Sequence, residues 1–251
     1  MSILNQIIKQ KEKEITSINL SKTQTKELSR RSFIQQLKPG ELHLIAEVKQ
    51  ASPSKGVIYP SFNHLSLAQK FESYGASCIS VLTDEMFFQG HKQFLIDIKE
   101  EAKIPVLRKD FIIDVKQVEE THNIGADVML LIIDILSLNQ ANELIDAAES
   151  FGLEVLLEIH SDNALNKLND IRKKPLVGVN NRDLSTFECN TNRVIEMKTD
   201  ILAMDSNIKI IAESGYFKAE QMNSLQNNGV HGVLIGEGLS KNNGILEWFK
   251  Q

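Results

Sequence analysis

Short apolar runs recur along the chain at nearly even spacing, separated by longer stretches in which apolar positions return every three or four residues. The runs are HLIAEVK (43–49), CISVLTD (78–84), PVLRKD (105–110), ADVMLLI (126–132), EVLLEIH (154–160), LVGVNNR (176–182), KIIAESG (209–215) and GVLIGEG (232–238). Their length and aliphatic content predict eight buried strands. Helices are predicted between them, for example over LSLAQKFESYG, ANELIDAAESFG and KAEQMNSLQNNG, the second behind a capping box from Ser137 to Gln140. Gly75, Gly125, Gly152 and Gly229 fall just before the next strand, where a left-handed helix cap favours glycine.

Strands that alternate with helices pair in parallel, and eight such units fit a closed (β/α)8 TIM barrel, the α/β class expected here. An open doubly wound sheet is the competing architecture. It would carry a glycine-rich dinucleotide turn after the first strand, where this chain has QASPSKGVIYPSF. No Ser/Pro/Gly-rich linker divides residues 1–251, so a single barrel domain is expected, with about residues 1–40 forming extra N-terminal helices that end at the Pro-Gly of SFIQQLKPG.

Polar residues gather at the C-terminal ends of the apolar runs. The first run ends in Glu47 and Lys49, the third in Arg108, Lys109 and Asp110, the fifth in Glu158, the sixth in Asn180 and Arg182, and the seventh in Glu213 and Ser214. In a barrel that end is the functional mouth. Residues i and i+2 of a strand share a face, so Glu47 and Lys49 are expected side by side. Each charge also has a plain structural reading. Lys109 can pair with Asp110 or a neighbouring strand, Lys55 can be a solvated loop lysine, and His43 and His160 read as bystanders. The last strands run into AESG and LIGEG, whose glycines let backbone N–H groups approach a phosphate, as barrels do after their seventh and eighth strands.

Composition narrows the partners. A net charge of −5 argues against nucleic acid, and no apolar run reaches the ~20 residues of a membrane-spanning helix. The N-terminus lacks the uninterrupted apolar centre of a signal peptide, and Cys78 and Cys189 match neither a disulfide framework nor a zinc spacing, so a cytoplasmic, reduced protein without metal is expected. Lysines among carboxylates suit two chemistries: a protonated lysine acting as general acid beside a glutamate base, or a lysine of lowered pKa forming a Schiff base. Glu47 beside Lys49 and Asp110 beside Lys109 favour the charged ammonium, hence the acid. A non-catalytic barrel that binds a sugar phosphate is a further alternative.

The segments IAEVKQASPSKG, LTDEMFFQG, VLRKDFI, LLEIH, GVNNRDL, IAESG and LIGEGL resemble the motifs of indole-3-glycerol phosphate synthases, over all eight strands. The resemblance implies ring closure of 1-(2-carboxyphenylamino)-1-deoxyribulose 5-phosphate, with loss of carbon dioxide and water, in tryptophan biosynthesis. It implies no cofactor, an anionic sugar-phosphate substrate and a monomer. Carried over by position, it implies Lys109 as general acid, Glu158 as its proton-relaying partner, Lys49 as carboxylate contact and second acid, and Glu47 orienting the cations. Asn180 and Ser214 would hold substrate hydroxyls, and Arg182 and Glu213 would tie the site together. Ser52, Gly215, Gly236, Glu237 and Gly238 would surround phosphate, and Phe88, Phe111, Leu130, Ile132 and Leu184 would line an aryl pocket, although ordinary mouth packing would also use such apolar residues. This chain departs from the family at Gly238 and His91, where serine is more usual.

Overall fold

The computed structural model describes residues 3–20, 29–53, 55–182 and 188–250. Eight parallel strands close on themselves: β1 His43–Val48, β2 Cys78–Leu82, β3 Val106–Lys109, β4 Val128–Ile132, β5 Glu154–Ile159, β6 Leu176–Asn180, β7 Lys209–Glu213 and β8 Gly232–Ile235, with β8 hydrogen-bonded back to β1. Every predicted run holds one of these strands. Closure leaves no edge to protect, and helices cover the outside, so both faces of the sheet are apolar. The capping box at Ser137 and Gln140 is present, and Gly75, Gly125, Gly152 and Gly229 all take the positive φ expected of helix-terminating glycines.

Alternate residues of each strand divide between two cores. Outward-facing side chains such as Leu44, Ile79, Leu131, Leu157 and Val177 pack beneath the helices. Inward-facing Ile45, Leu107, Leu156, Leu176, Ile211 and Leu234 fill the barrel itself, and Phe33 and Leu37, beside a short 3-10 turn at Ile34–Gln36, pack into that filling. Two residues further along the same parity come Glu47, Lys109, Glu158 and Glu213. The strand period thus places the charges directly above the apolar layer.

Helix α1, Ile3–Ser17, lies across the mouth. Its Ile7 is buried, and Lys11, also buried, bridges Asp84 at 2.8 Å and Asp110 at 2.9 Å. Burial alone would lower the Lys11 pKa, but Asp110 and Asp84 together raise it. The latch matters because Asp84 caps α2, Glu85–Phe88, through the Phe87 N–H, and Asp110 holds the Phe111 N–H. A single lysine therefore ties α1 to both loops that carry mouth aromatics.

Candidate active site

Glu47, Lys49, Ser52, Phe88, Lys109, Phe111, Leu130, Ile132, Glu158, Asn180, Arg182, Glu213, Ser214, Gly215, Gly236, Glu237 and Gly238 line one cavity at the C-terminal end of the barrel. Leu184 lies outside the described residues. Parity brings Glu47, Lys109, Glu158 and Glu213 together, each the inward residue near the end of its strand, and Lys49 and Arg182 continue that parity just beyond. Strand register then sets the neighbours, with Glu158 beside Ile132 and Gly178, and Asn180 beside Glu213.

Lys109 is the centre of the polar cluster. Its Nζ donates to Glu158 Oε2 at 2.8 Å and lies 3.9 Å from Glu213 Oε2. Burial pushes its pKa down, but the carboxylates of Glu158, Glu213 and Glu47 outweigh burial and hold it above the ordinary lysine value. Glu158 accepts from Asn180 Nδ2 at 3.1 Å and lies 2.5 Å from His160 Nε2, both through Oε1. Burial favours its neutral form, yet Lys109 and His160 hold it well below the usual carboxylate range. Glu213 goes the other way: burial, and then the neighbouring Glu158 charge, push it well above that range. One carboxylate is kept charged and the other is inclined to hold a proton.

Glycines make room for these groups. A Cβ on Gly178 would meet Glu213 Oε1 at 2.1 Å, and one on Gly236 would meet Glu47 Oε1 at 2.2 Å and Lys49 Nζ at 3.0 Å. Glu47 and Lys49 are ion-paired with each other, as their i, i+2 spacing predicts. Across the mouth, Ser214 and Gly215 both have positive φ, 66° and 88°. A serine there is strained, and Asn181 holds the turn by donating to the Ser214 carbonyl at 3.0 Å and the Tyr216 hydroxyl at 2.9 Å. The turn and the Gly236–Gly238 segment face the cavity together. Phe88 and Phe111 form a tilted pair with centroids 6.1 Å apart.

Some expectations need correction. Asp110 is not the partner of Lys109; its carboxylate turns to Lys11, Arg108 and Thr83. Arg108 faces away from the mouth, because consecutive strand residues point to opposite faces. Its guanidinium bonds Thr83, Thr121, Glu120, Asp110 and the Gln117 carbonyl. Lys55 is exposed in its loop, near enough to Glu237 to help lower that carboxyl's pKa after Lys241 has done so. His43 is remote from the cavity, bonded to Lys38 N–H and Ser77.

Residues that sequence reasoning missed include His160, which lines the cavity, and Ile3, Leu4 and Ile7 of α1, which close one side of it. His160 follows Glu158 by two, the same spacing that exposed the Glu47–Lys49 pair. Among the described residues, no group of three or more His, Cys, Asp or Glu side chains is placed to hold a metal ion.

A closed parallel eight-stranded barrel with lysine, glutamate and glycine turns around a cavity at its C-terminal mouth is a TIM barrel with the layout of that class's ligand sites. Solved structures agree on the fold alone: the tryptophan synthase alpha subunit of Legionella pneumophila str. Paris is 14% identical with a TM-score of 0.59, over 87% of this chain and 95% of that one. A 3-hexulose-6-phosphate synthase is 12% identical with a TM-score of 0.63, over 82% of this chain and 99% of that one. A family profile described as indole-3-glycerol phosphate synthase matches residues 4–249. The indole-3-glycerol phosphate synthase of Geobacillus sp. (strain WCH70) is 42% identical, covering 97% of this chain and 93% of its own. That of Bacillus velezensis (strain DSM 23117 / BGSC 10A6 / LMG 26770 / FZB42) is 41% identical, covering 95% and 94%. The chain belongs to the indole-3-glycerol phosphate synthase family, carboxy-lyases of tryptophan biosynthesis.

Both departures from the family pattern have local causes. A Cβ on Gly238 would meet the Tyr216 carbonyl oxygen at 2.1 Å, so this packing leaves no place for a side chain. His91 caps α3, Lys92–Glu101, by accepting the Gln93 N–H at 3.0 Å, a task that serine hydroxyls perform elsewhere.

Proposed function

We propose that Lys109 is the general acid of an indole-forming ring closure and that Glu158 is the carboxylate working with it. In the first step the aryl carbon that bears the carboxylate attacks the ribulose carbonyl carbon, while Lys109 delivers a proton to the carbonyl oxygen. The carboxyl group then leaves as carbon dioxide, and its bonding electrons restore the aromatic ring. Departure of the former carbonyl oxygen as water needs a second proton delivered to that oxygen and one removed from the adjacent carbon. Lys49 is the second acid and carboxylate contact, and Glu158 accepts or relays the proton that is removed.

The observation that carries this reading is the 2.8 Å Lys109–Glu158 contact inside the cavity, with Glu47 adding negative field. A lysine held protonated in this way suits a proton donor and opposes the free amine that Schiff-base chemistry requires. Glu47 orients Lys49, and Asn180, Arg182, Glu213 and Ser214 surround the sugar hydroxyls. Phosphate is taken by Ser52 and by the backbone of the Gly215 and Gly236–Gly238 turns, with Glu237 at their edge. The aryl ring lies against Phe88, Phe111, Leu130 and Ile132. These apolar walls exclude water and hold the reacting carbons together.

A monomer in the cytoplasm is the setting this reading takes. Cys78 and Cys189 are free thiols, as a reducing compartment keeps them. Formation of fluorescent indole-3-glycerol phosphate from the anilino-ribulose phosphate tests the function. Turnover without borohydride-trappable lysine supports it, and a reducible substrate adduct on Lys109 would replace the acid with a Schiff base.

A further inference from the structure

Both ring nitrogens of His160 face groups that accept hydrogen bonds. Nε2 lies 2.5 Å from Glu158 Oε1, and Nδ1 lies 3.2 Å from the carbonyl oxygen of Arg182. A peptide carbonyl can only accept, and so can an ionised carboxylate. A neutral imidazole has one N–H and could serve only one of them; serving both takes the imidazolium. The ring is held in place, since the His160 side chain is only 4% exposed and its backbone N–H donates to Asp134 Oδ2 at 2.9 Å.

We infer that His160 is a positioning residue: a doubly protonated ring that fixes the Glu158 carboxylate in its ionised, oriented form opposite Lys109. The inference rests on the reading of Glu158 as the working carboxylate. Three side chains then satisfy Glu158, with Lys109 on one oxygen and His160 and Asn180 on the other. Without the imidazolium, Oε1 would keep only the neutral amide, and the carboxylate would be held less firmly and take a proton more readily.

The surrounding charges agree in sign. Burial alone would neutralise the ring, but Glu158 and then Asp134 raise the His160 pKa above its ordinary 6.5. Lys109 opposes the ring's charge from beyond Glu158, and Glu213, 3.9 Å from Lys109 and inclined to hold its proton, adds little to either side. The Arg182 guanidinium acts on Glu237 and Cys189, at the outer rim. A raised value means that the ring stays charged after an exposed histidine has lost its proton, and neutralises only on a further rise in pH.

The test uses full-length, ring-15N-labelled protein. Long-range proton–nitrogen spectra are expected to show His160 doubly protonated at a pH where an exposed histidine has mostly lost its proton, and its titration is expected to move downward in Glu158→Gln. In His160→Asn the low-pH limb of kcat is expected to move upward by about one pH unit, so that about tenfold is lost at acid pH and regained as pH rises, with KM nearly unchanged. A neutral ring with one N–H in the wild-type protein at that pH would overturn the inference. So would a loss in His160→Asn that is equal at every pH, which is the mark of a merely structural role. The two readings can fail separately: a neutral His160 with an inactive Glu158→Gln removes only the positioning role, whereas full turnover by Glu158→Gln removes the assignment on which it rests.

Discussion

Arg108 and Lys109 are adjacent on one strand, and each is the centre of a buried charged cluster, yet the two clusters differ in kind. The outer one is closed. Arg108 is matched by Asp110, Glu120, Thr83, Thr121 and a carbonyl, and Asp110 is held well below the carboxylate range because Lys11 and Arg108 outweigh its burial. The inner one is frustrated. Lys109 is shared among several carboxylates, Glu213 is pushed up while Glu158 is pushed down, and Glu213 Oε1 is buried with no hydrogen-bond partner among the described residues. Burial and ion pairing alone do not mark a working site. Both clusters border a cavity, so what sets the inner one apart is unequal demand on shared protons.

That contrast can be broken at several points. Lys109→Ala is expected to lower kcat by about 10²- to 10⁴-fold while substrate still binds, the signature of an interaction made in the transition state. Steady-state fluorescence assays check it. Arg108→Met is expected to do the opposite, leaving turnover per folded molecule within a few-fold but destabilising the chain by about 3–5 kcal/mol, because Asp110 and Glu120 lose a buried partner. For a barrel of this size that is a fall in Tm of roughly 6–20 °C, readable by calorimetry.

Glu213→Gln should have a milder effect, within about tenfold on kcat near neutrality, since an amide mimics a protonated carboxyl. Its stability signature has a definite sign. A carboxyl with a raised folded pKa binds its proton more tightly in the native state, so it makes stability fall as pH rises above the unfolded value near 4.5. Urea midpoints measured across pH should show that downward contribution in the wild-type protein and its absence in Glu213→Gln. The smallest effect is expected for Ser214→Gly. Relief of a φ of 66° should add about 1 kcal/mol of stability while weakening substrate binding, a trade expected of the inner cluster alone.

Most of the architecture was legible because a barrel strand is short, aliphatic and followed by a helix, and because the mouth is where polar residues follow apolar ones. The same logic found Glu47, Lys49, Lys109, Glu158 and Glu213. It failed where parity was not applied: Arg108 and Asp110 were grouped with Lys109 although alternate residues leave the barrel on opposite sides, and His160 was set aside although it shares the face of Glu158. The pairing of Lys11 with Asp84 and Asp110 spans residues distant in sequence, and no local pattern announces it. Gly178 and Gly236 likewise show their purpose only when Glu213 and Glu47 are seen against them.

Whether Lys109 works by giving up a proton or only by its charge is decided most directly by the single-turnover rate of Lys109→Arg. Arginine keeps the positive charge beside Glu158 but does not release its proton in the physiological range. A rate about as low as that of Lys109→Ala, with substrate bound, is expected. A rate close to the wild-type value would contradict it, because charge alone would then suffice.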